Sequence, residues 1–290
     1  MPHFKFIIEK INFLITSKNN SLIKRFRAFK DKLPSNEEDS FCVEGTNLIK
    51  ELISSGNLPF KVIATEIWLN KNRLLANKIS QSTITKVTEE VLSSATSIKN
   101  PDGVAALIKK TVIPKFSYEK KDDFILVLDR VQDPGNLGNL FRTALAAGVN
   151  KILLGGGANP LSPKVLRASC GSIFYLPYKR IIGEESKIIN DLLSSLNDLS
   201  SKGFQIISTG TINKITEQTP KPYWELDWNK PTALILGNEG SGIHHNIKEA
   251  FNETITIPHS ELVESLNVAS VAVPLLLERK RISLTQTLKK

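Results

Sequence analysis

The polar side chains placed to do chemistry in this sequence are Asn136, Arg142, Glu239, Ser265 and Asn267, and they fall in three stretches of similar design. In the first, ILVLDRVQDPGNLGNLFRTALAAG at 125–148, an apolar run ends at Asp129 and a turn-forming segment follows from Asp133 to Gly138. Leu140, Ala144 and Ala147 then recur at helical spacing. Asn136 sits in the expected loop and Arg142 in the first turn of a helix expected over 139–147, with Asn139 as N-cap and Gly148 as C-cap. In the second, TALILGNEGSGI at 232–243, a buried strand runs into three glycines that allow close backbone approach, and Glu239 is the only charge. In the third, the strand at 255–257 leads through a polar loop into an apolar helix expected over 265–280, entered at Ser265 and Asn267, with Ser265 able to cap it. Its free amides would face whatever binds there.

Strand, polar loop and helix form the unit from which open α/β sheets build sites at the carboxyl ends of their strands. Each stretch alone also has an ordinary reading: a connecting turn with a solvated arginine, a tight glycine turn, a capped core helix. The loop GNEGSG lacks the Lys-Ser/Thr pair of a phosphate loop, and its GxxGxG spacing is not the dinucleotide fingerprint. The four histidines, His3, His244, His245 and His259, have no metal-ligand spacing. Cys42 and Cys170 are far apart and outside any CxxC pair, which argues against a disulfide framework and for a reducing, cytoplasmic setting.

The elements that must position these loops alternate. Beyond a polar linker at 109–123 broken by Pro114, strands are expected at 124–128, 151–154, 173–176, 204–208, 233–236 and 254–257, with helices at 163–169, 185–200 and 244–251 between them. That alternation predicts a mostly parallel sheet covered by helices, in a domain spanning 116–290. The preceding domain, 1–115, also alternates β and α, with strands at 41–43 and 61–65, a helix at 47–55, and pieces at 86–92 and 104–109. Its charge is distinctive: 18 Lys+Arg against 11 Asp+Glu, or +7, whereas 116–290 has 20 against 18, or +2. A basic domain joined to a nearly neutral one suggests a grip on polyanions, nucleic acid first. The helix SLIKRFRAFKDK at 21–32 sets Leu22, Phe26 and Phe29 at helical spacing among Lys24, Arg25 and Arg27, and is the expected part of that surface. No apolar run approaches a membrane span, and the opening MPHFKFIIEK lacks the pattern of a secretory signal, leaving a short organellar targeting segment open.

In this order the three stretches resemble one family. DxxxDPxNxGxxxRTAxxxG at 129–148, LxLGxExxGI at 234–243, and IP followed by ESLNV at 257–268 are similar to the motifs of the SpoU (TrmH) group of SPOUT methyltransferases. ITSKNNSLIKRF at 15–26, FCVEG at 41–45 and PDGVAAL at 101–107 more loosely resemble the RNA-binding domain that often precedes them. The resemblance implies methyl transfer from S-adenosylmethionine to a ribose 2′-hydroxyl of structured RNA, rRNA ahead of tRNA, by a homodimer whose catalytic domain carries a trefoil knot. It places the cofactor against Leu236, Gly237, Gly242, Ile257 and Leu266, and puts Asn136, Arg142, Glu239, Ser265 and Asn267 around the transfer site, Arg142 foremost. A guanidinium whose pKa exceeds about 12 is a poor proton acceptor, so Arg142 is expected to anchor phosphate and polarise the hydroxyl while water, Glu239 or a phosphate oxygen takes the proton. The sequence departs from the family at His259, where Met is common, at Glu261, where Gly is usual, and at Pro274, expected to kink the last helix. The alternatives are a catalytically silent RNA-binding relative and a nucleotide-binding enzyme using GNEGSG for phosphates.

Overall fold

The computed structural model describes residues 14–31, 39–210, 220–260 and 262–287. The first ten residues, the acidic tract around Glu37 and Glu261 therefore lie outside the described residues. The chain forms two compact units, one of residues 1–113 with 159–174, the other of 114–158 with 175–290.

In the first unit the elements are β1 (Leu14–Ile15), α1 (Ser21–Asp31), β2 (Ser40–Glu44), α2 (Thr46–Ser54), β3 (Lys61–Ala64), α3 (Glu66–Lys71), α4 (Arg73–Ala76), β4 (Ile84–Val87), α5 (Glu89–Ala95) and β5 (Val104–Lys109). The stretch at 86–92 thus divides between a strand and a helix, because Thr88 caps α5 by accepting from the Val91 amide. The sheet runs β1-β4-β3-β5-β2, with β5 antiparallel to both β3 and β2. The buried face of α1 holds Phe26 and Phe29 as the spacing anticipates, with Ile23 joining them and Leu22 packed only partly against the same core.

The second unit contains β6 (Phe124–Asp129), α6 (Pro134–Ala147), β7 (Lys151–Gly155), β8 (Tyr178–Ile181), α8 (Glu185–Ser201), β9 (Gln205–Thr209), β10 (Lys221–Pro222), β11 (Thr232–Leu236), α9 (His245–Ala250), β12 (Thr254–Thr256) and α10 (Val268–Thr287). Between β7 and β8, α7 (Pro163–Ser169) belongs to the first unit. The reason is local: Arg167 donates to Glu44 Oε2 at 3.2 Å and to Ser97 Oγ at 2.7 Å, and the buried Glu44 also accepts from the Ser97 amide and hydroxyl.

Its sheet is parallel throughout, in the order β10-β12-β9-β11-β6-β7-β8. The central strands β6 and β11 are buried along their whole length, as parallel strands covered on both faces must be. Their register pairs Leu128 with Leu236, so the loops after them leave the same sheet edge side by side. On one face α8 supplies Ile188, Ile189, Leu192 and Leu196 to a core with Ile125, Val127, Leu153 and Ile235. Glycine is needed at 155, where a Cβ would stand 2.2 Å from Leu192 Cδ1.

Three expected boundaries are corrected. Residues 134–138 are the first turn of α6, not a loop: Asp133 caps the helix and Pro134 occupies N1, where its fixed φ suits a helix and its missing N–H costs nothing. Arg142 is consequently in the third turn and Asn139 is inside the helix. The run at 173–176 is not a strand; Ser172–Phe174 is a 3-10 turn entered through left-handed Cys170 and Gly171, and the edge strand begins after Pro177. The last helix begins at Val268 and continues through Pro274 to Thr287, and its cap is Asn267 instead of Ser265. Among the described residues no helix is long and apolar enough to cross a membrane.

Candidate active site

The loops after β6, β11 and β12 meet at the carboxyl edge of the parallel sheet. After β11 the chain folds back on itself: Asn238 and Gly242 exchange backbone hydrogen bonds of 3.1 and 3.0 Å, and Gly242 adopts φ +66. The Asn238 side chain accepts from the amides of Gly240 (2.9 Å) and Ser241 (3.0 Å), filling the inside of the turn. Gly237 must be glycine, because a Cβ there would lie 2.3 Å from the Gly242 carbonyl carbon and 2.4 Å from the Ile243 nitrogen.

The third loop is fixed at its far end. Asn267 Oδ1 accepts from the amides of Ala269 (2.9 Å) and Ser270 (3.2 Å), satisfying two of the orphan donors of α10. Its Nδ2 donates to Asn136 Oδ1 at 2.9 Å, and Asn136 Nδ2 donates in turn to Glu239 Oε1 at 3.0 Å. Glu239 also accepts from the amides of Gln132 and Asp133, both at 3.0 Å. One line of hydrogen bonds therefore joins residues 267, 136 and 239, and with them the three loops.

These bonds decide the protonation of Glu239. Burial pushes its carboxyl up, but donation from Asn136 and from the Gln132 and Asp133 amides outweighs that and holds it below the usual carboxylate range. A carboxylate already engaged by three donors is a poor proton acceptor. With its folded pKa depressed, it contributes stability fully above its unfolded pKa, and that contribution is lost as pH falls through the folded value. We expect thermal melts of Glu239→Gln to fall below the native protein by a constant margin from pH 6 to 9, a margin that closes under acid. A margin unchanged under acid would contradict this assignment.

A cavity of about 420 Å³ opens between the second and third loops. Leu236, Gly237, Gly242, Ile257 and Leu266 all line it, as do Glu239, Ser265 and Asn267. Asn238, Gly240 and Ser241 of the second loop, Thr209 and Gly210 from the end of β9, and Val271 and Leu275 from α10 are also on the wall; the other charged or titratable groups on it are Lys248, His259 and Glu264. The volume lies in the range of about 300–1,000 Å³ found for small-molecule sites, and apolar side chains alternate on its wall with glycine backbone. That combination suits a small molecule with both apolar and hydrogen-bonding parts. Asn136 and Arg142 stand outside the lining, on α6, with Arg142 exposed and about 9 Å further along the helix axis than Asn136.

The residues expected to touch RNA share α1 but differ in their surroundings. Lys24 is exposed, and the Arg25 guanidinium lies 5.3 Å from the centroid of Phe60. Arg27 is tied internally, donating to the Ser94 carbonyl (3.3 Å), the Ser94 hydroxyl (3.2 Å) and the Lys18 carbonyl (3.1 Å). Two site residues escaped the sequence reading. Asn238, the organiser of the glycine loop, was legible as an asparagine two residues before a glycine, a common side chain-to-backbone turn. Asp133 was legible from the Asp-Pro pair that starts many helices.

Residues 123–277 match the sequence profile described as the SpoU rRNA Methylase family, and residues 20–106 match the MRM3-like substrate binding domain. An uncharacterised tRNA/rRNA methyltransferase of Synechocystis is 34% identical over 270 residues, covering 92% of this chain and 93% of the relative. The 23S rRNA (guanosine(2553)-2′-O)-methyltransferase RlmP of Bacillus subtilis is 29% identical over 259 residues, covering 89% and 95%. The crystal structure of an AdoMet-bound rRNA methyltransferase from Sinorhizobium meliloti superposes with a TM-score of 0.75 at 27% identity, covering 93% of this chain and 97% of that one.

Proposed function

This chain belongs to the SpoU rRNA methylase family, and we propose that it transfers a methyl group from S-adenosylmethionine to a ribose 2′-hydroxyl of structured RNA, rRNA ahead of tRNA. The observation that carries this reading is the cavity walled by the second and third loops and hydrogen-bonded, through Asn267, Asn136 and Glu239, to the helix that bears Arg142.

Bound S-adenosylmethionine supplies a sulfonium methyl group as the electrophile. Leu236, Ile257 and Leu266 cover its apolar parts, and the backbone at Gly237 and Gly242 approaches closely where side chains would obstruct. Arg142 anchors the RNA phosphate and polarises the attacking hydroxyl, and alignment of that oxygen is the main contribution to rate. Glu239, Asn136 and Asn267 hold the loops in register. The proton leaves to water or to a phosphate oxygen, since the Glu239 carboxylate is engaged and its pKa depressed. The silent-binder alternative is disfavoured by the intact polar line beside a formed cavity. Transfer of labelled methyl from S-adenosylmethionine to unmodified rRNA, exceeding that to tRNA, tests the reading; labelling of tRNA alone would reverse the substrate order.

The same reading makes the chain a cytoplasmic homodimer with a trefoil knot. Dimerisation is supported by Val273, Leu277 and Leu284, exposed apolar residues on one face of α10, and by exposed Leu145 on α6, against which α10 packs. The knot enters this reading with the family resemblance of the three motifs. The first domain grips RNA through Lys24 and Arg25. Reversing both charges should weaken RNA binding and flatten the log–log salt slope by about one to two, one per lost phosphate contact, in a filter-binding titration. Arg27→Ala should instead lower the melting temperature, because it removes bonds between α1 and α5.

A further inference from the structure

We propose that Asp129 and Arg130 form a positioning pair that fixes both ends of the cofactor loop from one point at the end of β6; the inference rests on the reading of the cavity as the S-adenosylmethionine site. Asp129 is fully buried, and a buried carboxylate is tolerated only where donors surround it. Its donors are the Arg130 guanidinium, at 2.8 Å from Nε and 3.2 Å from Nη2, and the His244 amide at 2.7 Å, which lies where the loop re-enters the fold.

Arg130 holds the other end. Its backbone is left-handed, φ +55, an uncommon state for a residue with a side chain. In that conformation its N–H still reaches the Gly155 carbonyl of the next strand at 2.8 Å, while its own carbonyl accepts from Asn238 Nδ2 at 2.8 Å. Asn238 is the residue whose side chain organises the turn inside the loop. The Arg130 guanidinium also pairs with Glu185 at the start of α8, so the pair is braced against a second element. Strand pairing requires neither side chain. What the two residues accomplish together is to set the distance between Asn238 and His244, and hence the shape of the wall from Leu236 to Ile243.

The test compares Asp129→Asn and Arg130→Gly with the native protein. Asparagine keeps the size but turns one acceptor into a donor facing a donor. Glycine adopts the left-handed backbone without strain and keeps the carbonyl for Asn238, removing the guanidinium alone. In steady-state assays well below each variant's melting temperature, Asp129→Asn should raise KM and Kd for S-adenosylmethionine by about tenfold or more, and Arg130→Gly several-fold. KM for RNA and kcat at saturating cofactor should stay within about twofold. A folded Asp129→Asn with native cofactor affinity would overturn the pairing, as would kcat and both KM values changing together. If Asp129→Asn fails to fold, Arg130→Gly carries the comparison, and native cofactor affinity there overturns it. If the native protein itself binds no S-adenosylmethionine by calorimetry, the reading of the cavity fails and this inference with it.

Discussion

Replacing Arg142 with alanine is expected to lower kcat for methyl transfer by about two to three orders of magnitude, the usual consequence of removing a group that stabilises developing charge, while leaving S-adenosylmethionine affinity within about twofold. The separation of effects follows from position. Arg142 lies on the exposed face of α6, in its third turn, outside the wall of the cavity. Truncation there creates no buried void, so the variant should still fold and bind S-adenosylmethionine. Arg142→Lys should recover only part of the rate, since a lysine keeps the charge but not the planar fork that binds phosphate through two parallel hydrogen bonds. Equal loss of cofactor binding and turnover would place the arginine on the wrong side of the site.

Gly237→Ala should have the opposite signature, with cofactor affinity reduced by about thirtyfold, or about 2 kcal/mol, the cost typical of forcing a methyl into a packed site. The added carbon would stand 2.3 Å and 2.4 Å from backbone atoms of Gly242 and Ile243, which cannot swing aside as a side chain would. Either the two hydrogen bonds between Asn238 and Gly242 break or the whole turn shifts into the cavity. Gly240→Ala is the control for the turn: its Cβ would meet no protein atom nearer than 3.7 Å, from the Asn238 side chain, so the turn should keep its native thermal stability where Gly237→Ala lowers it.

Much of this site is written locally in the chain. The apolar run before Asp129, the glycine at 148 with φ +80, and the helix at 185–201 follow from periodicity and capping. The start of α6 did not, because proline, two glycines and asparagine within six residues argue for a loop, and only the Asp-Pro capping pair argues for a helix. At the head of α10 two polar residues competed for the cap; the winner, Asn267, also bonds to Asn136, 131 residues away, and no local pattern contains that bond. Arg27 makes the same point in reverse. Its place on the polar side of a basic helix suggests a cation free to meet RNA, yet its partner Ser94 is 67 residues away. Contacts across the parallel sheet, such as Leu128 beside Leu236, gather the residues proposed for the cofactor into one cavity, and they arise from strand order, which periodicity leaves undetermined.

The chemical position of the transferred methyl group tests the central claim most directly. After incubation with methyl-labelled S-adenosylmethionine and unmodified rRNA, the RNA is digested in alkali and the labelled products are separated. A ribose 2′-O-methyl group removes the hydroxyl that alkali requires, so the account predicts label in alkali-resistant dinucleotides, absent with Arg142→Ala. Label in alkali-sensitive mononucleotides would mean methylation of a base, and would contradict the assignment of this site to the ribose hydroxyl.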